Sequence, residues 1–382
     1  MESHLVLLGG GHSHVAVLKS FAEAPIGDVK LTLVTPYPQV MYSGMLPGFI
    51  AGHYSQNECH VNIATLAHFA KCEVIGAYAV GLDTGNRNVI LHTGEALKYD
   101  LLSINTGSVP RLDGVPGARE FSMPVKPAEK FWIAWSHLLE DAAARTAPLR
   151  IAVVGGGAAG VELVFAMQYR LLHDESVQLS APPLFHLVND MPALMPRHNN
   201  KARAIVTRIL AERDVTVHSS CRAISMEAGV IHCDGGYDIR ADYAVWATGP
   251  GASAWVAKTG LALDAHGFIA VNDNLRSISH SNIFAAGDIA SQHGATHPKS
   301  GVYALRQGPP LAENLRAALK HKPFTPYAPQ KQALAIISAG DKYAIATRGN
   351  WAIEGSLIWK IKDRIDRRFI EKYNHLVSKC NS

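Results

Sequence analysis

One local pattern occurs at two distant places in this chain, and that repetition limits its fold more than any other feature. Leu5–Leu8 is a short apolar run that ends in Gly9-Gly10-Gly11, and Val15, Leu18 and Phe21 follow at helical spacing. Lys30–Thr35 then reads as a second strand. Far downstream, Arg150–Val154 runs into Gly155-Gly156-Gly157-Ala158-Ala159-Gly160. A helical stretch over 161–172 and a strand over 184–188 complete the second copy. Each copy is a βαβ unit with its glycines at the first strand-to-helix turn. The pair predicts an α/β fold with two Rossmann-like dinucleotide-binding domains. The length agrees, since 382 residues exceed one compact core at ~100–200 residues per domain.

The glycine spacing has a chemical reason. A pyrophosphate needs close backbone approach and free N–H donors at a helix N-terminus, with a third glycine for helix–strand packing. Gly155, Gly157 and Gly160 satisfy the whole pattern. Gly9 and Gly11 satisfy only part of it, because His14 stands where the third glycine belongs. The acid that usually ends the second strand and binds a ribose is missing from the first unit, where Thr35-Pro36 stands. In the second unit Asp190 is available and favours NADH, while nearby Arg197 argues for NADPH. His12 and His14 flank the first loop. With no carboxylate or cysteine near them in sequence they predict phosphate contact or packing, and no metal site.

Composition excludes several classes. Charged residues at 18% and hydrophobic ones at 48% describe a core-rich globular chain. The net charge of +4 is local: residues 358–382 hold seven basic and three acidic side chains, so the rest is formally neutral. A neutral body is poor material for nucleic-acid binding. No apolar run reaches the ~18–20 residues of a membrane span. The N-terminus has no basic, then uninterrupted apolar, leader pattern. Cys59, Cys72, Cys221, Cys233 and Cys380 contain no closely spaced pair, which predicts a reducing compartment and no local redox motif. The expectation is a cytoplasmic protein.

The basic tail leaves two readings open. Ile358, Ile361, Ile365, Phe369 and Leu376 fall largely on one helical stripe, with basic residues around it and Trp359 at its start. Residues 358–376 then lie on the inner face of the cytoplasmic membrane. Alternatively the helix packs on the body, or on a second copy in a homodimer.

Three further motifs carry a family resemblance. Tyr99–Pro110, with Asn105-Thr106-Gly107, resembles the "ATG" segment that links the domains of two-dinucleotide flavoproteins, with asparagine in place of alanine. Tyr243–Gly249, ending Ala247-Thr248-Gly249, resembles its second copy. Asn282–Asp288, ending Gly287-Asp288, resembles their flavin signature. The chain therefore resembles the pyridine nucleotide–disulfide oxidoreductase superfamily over nearly its whole length. Within it the type II NADH dehydrogenases and sulfide:quinone oxidoreductases are similar. Gly9–His14, Tyr42–Gly48 with Pro47, Pro298–Pro309 and Trp359–Phe369 resemble most the flavoprotein module found ahead of a selenophosphate synthetase domain in some proteins.

The resemblance implies an FAD domain over 1–115 and 270–322, an NAD(P)H domain over 116–269, and a C-terminal segment over 323–382. It places FAD at the first glycine loop, Thr35, Pro47, Thr106, Gly107, Gly287 and Asp288, with Asp288 on the ribityl chain. It places NAD(P)H at the second loop, Asp190, Thr248 and Gly249. Hydride would pass to flavin, then electrons to a quinone or another small acceptor. Glu162 matches a glutamate near the flavin–nicotinamide contact, or is a first-turn glutamate favoured by the helix dipole. Lys299 and Arg306 either steer an anionic acceptor or stabilise reduced flavin, or are solvated helix residues. Gly301, Val302 and Arg306 replace the polar quinone element of the dehydrogenases. The departures keep two alternatives open: a flavin-binding regulatory module serving selenium metabolism, or a sulfide- or selenide-oxidising flavoprotein.

Overall fold

The computed structural model describes residues 2–378 other than 113, 178, 296 and 331, and side chains as far as residue 375. In chain order the elements that build the site are β1 (Ser3–Leu8), α1 (His12–Glu23), β2 (Val29–Val34), β3 (Glu73–Ile75), β4 (Leu101–Ile104), β5 (Ser122–Pro124) and α2 (Ala128–Ala144). They continue with β6 (Arg150–Val154), α3 (Ala158–His173), β7 (Leu184–Val188), α4 (Asn200–Glu212), β8 (Thr216–His218) and β9 (Tyr243–Trp246). The last are β10 (Ile283–Ala285), α5 (Gly301–Leu319), β11 (Ala335–Ser338), β12 (Ala344–Arg348), β13 (Trp351–Gly355) and α6 (Ser356–Ser378).

Two five-stranded sheets carry the architecture, in the orders β10-β4-β1-β2-β3 and β5-β9-β6-β7-β8. Every pairing in both is parallel. That explains why the first strand of each unit is a continuous apolar run. Leu5–Leu8 and Ile151–Val154 are buried on both faces, as parallel strands under helices must be. In-register pairs such as Leu8↔Val34, Leu8↔Ile104 and Val154↔Val188 hold the two first strands centrally. The first sheet takes its fifth strand from residues 283–285, so the chain leaves this sheet, builds the second, and returns.

The C-terminal segment binds the two units together. The antiparallel sheet β11-β12-β13 places Ile337 and Ile345 in the core of the second unit, and α6 places Ile370 and Tyr373 in the core of the first. The apolar stripe predicted for α6 is split by this docking. Ile358 is buried and Phe369 packs against the first core, whereas Ile361 and Ile365 are 44% and 49% exposed. Leu376 lies outside the described side chains. The inward face instead carries Lys362 and Asp366, whose ion pair (2.6 Å) fits because Lys362 also donates to Gly44 O (2.5 Å). No helix among the described residues is long and apolar enough to cross a membrane.

Candidate functional site

The two glycine loops are built alike. Gly9 (φ +93°) and Gly155 (φ +127°) each turn the chain after the first strand, where L side chains rarely go. A Cβ on Gly9 would press against Asn105 O and one on Gly155 against Ala247 O, both at about 2.6 Å or less. The contact residues open the two segments Asn105-Thr106-Gly107 and Ala247-Thr248-Gly249. Each of these segments therefore supports one loop from below. Gly11 and Gly157 are the N-cap residues of α1 and α3.

The first loop departs from the glycine pattern as a coupled pair. His14 is fully buried, its Nδ1 within 2.6 Å of Gly9 O and its Nε2 within 2.8 Å of Ser103 Oγ. Both ring nitrogens are thus occupied inside the protein, and His14 fills packing space rather than facing a phosphate. Asn105 Oδ1 accepts from Ser13 N (3.1 Å) and His14 N (3.3 Å), and Nδ2 donates to Ala286 O (2.5 Å). One carboxamide therefore caps α1 and ties it to the end of β10.

Around this loop stand the other residues of the first unit. Gly287 N donates to the buried Gln307 Oε1 (2.6 Å), which orients the next residue, Asp288. Asp288 accepts from Ser108 Oγ (3.1 Å) and Lys126 Nζ (2.6 Å). Burial alone would raise this carboxyl, but Lys126 and Ser108 hold it below its ordinary range. The buried Thr106 Oγ1 has no partner. Thr35 is buried at the end of β2 and shares its Oγ1 with the Tyr37 backbone. Pro47 is buried in the short helix Leu46–Ile50. His12 Nε2 accepts from Ser43 N (3.3 Å), and burial pushes the imidazole down to about 4, with Asp288 opposing. It is a neutral ring stacked with Phe369 and tilted against Tyr42.

The second loop opens on a cleft of about 1290 Å³. Gly155, Gly157, Asp190, Thr248, Gly249 and Lys299 all line it, and so do Lys126, Phe268 and His297. Gly160 does not line the cleft; its α-carbon packs on the Gly155 carbonyl. Asn189 turns under the loop and donates to Met191 O (2.7 Å), so Asp190 and Arg197 are left exposed at the rim. Lys299 lies over the Phe268 ring (4.2 Å) and donates to Ala290 O. Burial brings its ammonium down to about 8 against the pull of Asp264 and Asp288.

Glu162 lies apart from that cleft. Its Oε1 accepts from Ser338 N (2.8 Å) beneath the C-terminal sheet. Burial raises the carboxyl to about 7, with Lys362 and the Ser338 N–H opposing and Asp366 adding to the rise. Asp366 is itself raised by burial and is bonded to Lys362 and Tyr42. Glu162, Lys362, Asp366 and Tyr42 thus form a buried polar group that meets His12 through Tyr42. Sequence spacing did not signal Lys126, Ser108, Lys362 or Asp366, because the partners that place them in the site lie far away in the chain: Asp288 for the first two, Gly44 O for Lys362 and Tyr42 for Asp366.

Residues 3–308 match the family described as pyridine nucleotide-disulphide oxidoreductase. The chain belongs to that family. It is 22% identical to the sulfide-quinone reductase of Aquifex aeolicus, over 95% of this chain and 92% of that protein. It is 28% identical over 218 residues to the type II NADH:quinone oxidoreductase of Haemophilus influenzae, covering 55% of this chain and 47% of that one. An NADH dehydrogenase-like protein of Mycobacterium tuberculosis is 25% identical over 61% of this chain. The chain spans 59% of that relative's length. Among solved structures, NDH2 of Plasmodium falciparum in complex with NADH superposes with a TM-score of 0.81 at 14% identity, covering 98% of both chains. The Aquifex sulfide:quinone oxidoreductase gives 0.79 at 20% identity, covering 98% of this chain and 92% of that one. Members of this fold therefore share the two-sheet plan described above.

Proposed function

We propose that this oxidoreductase binds FAD, takes hydride from NADH or NADPH, and passes the electrons to a quinone or comparable small acceptor. The observation that carries the reading is the pair of matched loops, one beside Asp288 and the orphaned Thr106 hydroxyl, the other opening on the cleft that runs to Lys299. The residues present fit FAD: a buried unpartnered hydroxyl and a buried carboxylate beside a glycine turn suit a polyhydroxy chain joined to a pyrophosphate. Gly9, Gly11, His12, Thr106, Gly107, Gly287 and Asp288 would hold it. Bound there, FAD supplies the ring that accepts hydride.

The chain's own residues have distinct tasks in this reading. The second loop and Thr248 hold the nucleotide, and Asp190 or Arg197 meets its ribose end. Lys299 holds positive charge in the cleft. Glu162, with a carboxyl near neutrality, stores the proton that balances NAD(P)H + H⁺ + quinone → NAD(P)⁺ + quinol. The departures at Asn105 and His14 satisfy each other in the packing, so neither favours a non-catalytic selenium-linked module. Cys59 is buried and bonded to Ser55 O (3.3 Å), which gives a sulfide- or selenide-oxidising reading no reactive thiol there. The outward face of α6 sets Leu357, Ile361 and Ile365 beside Arg364, Arg368 and Lys372, a surface suited to an anionic membrane and its dissolved quinone.

The test is anaerobic mixing of the purified yellow protein with NADH and NADPH in parallel, then a quinone panel. The expected result is bleaching of the visible flavin band and restoration by a quinone. Flavin that stays oxidised with both nucleotides overturns the reading.

A further inference from the structure

Cys221 and Cys233 are twelve residues apart in sequence, yet their sulfurs lie 2.8 Å from each other. The approach is built by the hairpin of strands Ala223–Glu227 and Val230–Cys233, in which Ala223 pairs with Cys233 and a register shift follows. Backbone bonds on both sides fix it. Cys221 N donates to Asn189 O (2.9 Å), Arg222 N donates to Asp234 Oδ1 (2.7 Å), and Asp234 N donates back to Arg222 O (2.9 Å). Both cysteines are almost wholly buried in side-chain packing, but Cys221 lines the large cleft beside Asn189. The cleft is thus a route by which a small oxidant reaches one sulfur of the pair.

We propose that Cys221 and Cys233 are a reversible dithiol–disulfide site, oxidised by a hydroperoxide that enters through the cleft. The sulfurs need to close only to about 2.05 Å to bond. The Cys221 sulfur attacks the peroxide oxygen, the O–O bond breaks, and Cys221 becomes a sulfenic acid while its thiol proton joins the departing hydroxide as water. The Cys233 sulfur then attacks the Cys221 sulfur, and the S–O bond breaks to release water. In sum two thiols lose two hydrogens and one hydrogen peroxide becomes two waters. Burial pushes the Cys233 thiol up to about 12, which fits the role of the partner that keeps its proton until the second step. The link would tie the cleft wall at Arg222, Ala223 and Ile224 to the strand behind it. Cys59 and Cys72 are the internal comparison, since each is buried against backbone carbonyls.

The test treats the full-length flavoprotein carrying Cys380→Ser with graded hydrogen peroxide, then alkylates it after unfolding and maps thiols by peptide mass spectrometry. The expected result is loss of label at Cys221 and Cys233 together, one to one, with a Cys221–Cys233 linked peptide that is two hydrogens lighter. Dithiothreitol restores both labels, and Cys59 and Cys72 keep theirs throughout. Both sites fully alkylated at every dose would overturn the proposal. So would Cys221 driven to sulfinic acid with no linked peptide. Cys233→Ser provides the second check: Cys221 then stops at sulfenic acid, trapped by dimedone, and its failure to appear in a folded variant also counts against the pair.

Discussion

Replacing Asn105 by alanine restores the residue that the linking segment of similar flavoproteins carries, and the structure says it will weaken this protein. Asn105 is 2% exposed. Its Oδ1 accepts from Ser13 N and His14 N, and its Nδ2 donates to Ala286 O. His14 N keeps a turn bond to Gly11 O (2.9 Å), so its loss is small. Ser13 N loses its capping acceptor, which costs about 1 kcal/mol. Ala286 O loses a donor to one of its lone pairs in a dry interior, at about 1–3 kcal/mol. The total is about 2–4 kcal/mol, a fall in melting midpoint of roughly 4–16 °C for a unit of about 150–250 residues that melts on its own. Circular dichroism melts of flavin-free wild type and Asn105→Ala would measure it. A drop below about 2 °C would refute the claim that this carboxamide compensates for His14 at the missing glycine.

Four other outcomes follow from the same geometry. Glu162 has its folded carboxyl raised to about 7, so the native state holds its proton more tightly than the unfolded chain does. Its contribution is therefore present below the ordinary carboxylate range and lost as pH rises through 7. The melting midpoint of wild type minus that of Glu162→Gln should fall between pH 5 and pH 8, and a flat difference contradicts the burial. Lys299, lowered to about 8, should lose its charge on the alkaline side, so kcat/KM for NAD(P)H declines there. In Lys299→Met that limb should vanish and the plateau should drop by about tenfold or more. Asp288→Asn breaks the pair with Lys126 and should release flavin on gel filtration, whereas full retention would remove Asp288 from the cofactor site. Leu357, Ile361 and Ile365 replaced together by serine should weaken sedimentation with anionic vesicles by roughly 30–150-fold, taking ~1 kcal/mol for each half-buried aliphatic side chain. Equal sedimentation would leave α6 as a purely protein-facing helix.

The parts of this molecule that its sequence announces are those whose cause is local. A glycine that must take positive φ after a strand, as at Gly9 and Gly155, has to be written at that position, so both loops and both sheets were legible. What long-range partners decide was not. Asn105 reads as a defect in a motif until Ser13, 92 residues earlier, turns out to need its oxygen. Cys221 and Cys233 read as scattered until a hairpin closes between them.

The C-terminal helix shows the limit most sharply. Hydrophobic periodicity picked out the stripe of Ile358, Ile361, Ile365, Phe369 and Leu376 as one face, to meet either a membrane or a protein surface. The surface that receives α6 presents Gly44 O and Tyr42, both polar, and Glu162 lies beyond them. A lysine that bonds that carbonyl and an aspartate that meets that phenol satisfy groups which isoleucine would leave unpaired at about 1–3 kcal/mol each. The helix therefore buries Lys362 and Asp366 beside Ile358, Ile370 and Tyr373 and leaves Ile361 and Ile365 exposed. A face chosen by polar satisfaction is invisible to hydrophobic periodicity, because the partner that dictates it lies three hundred residues away.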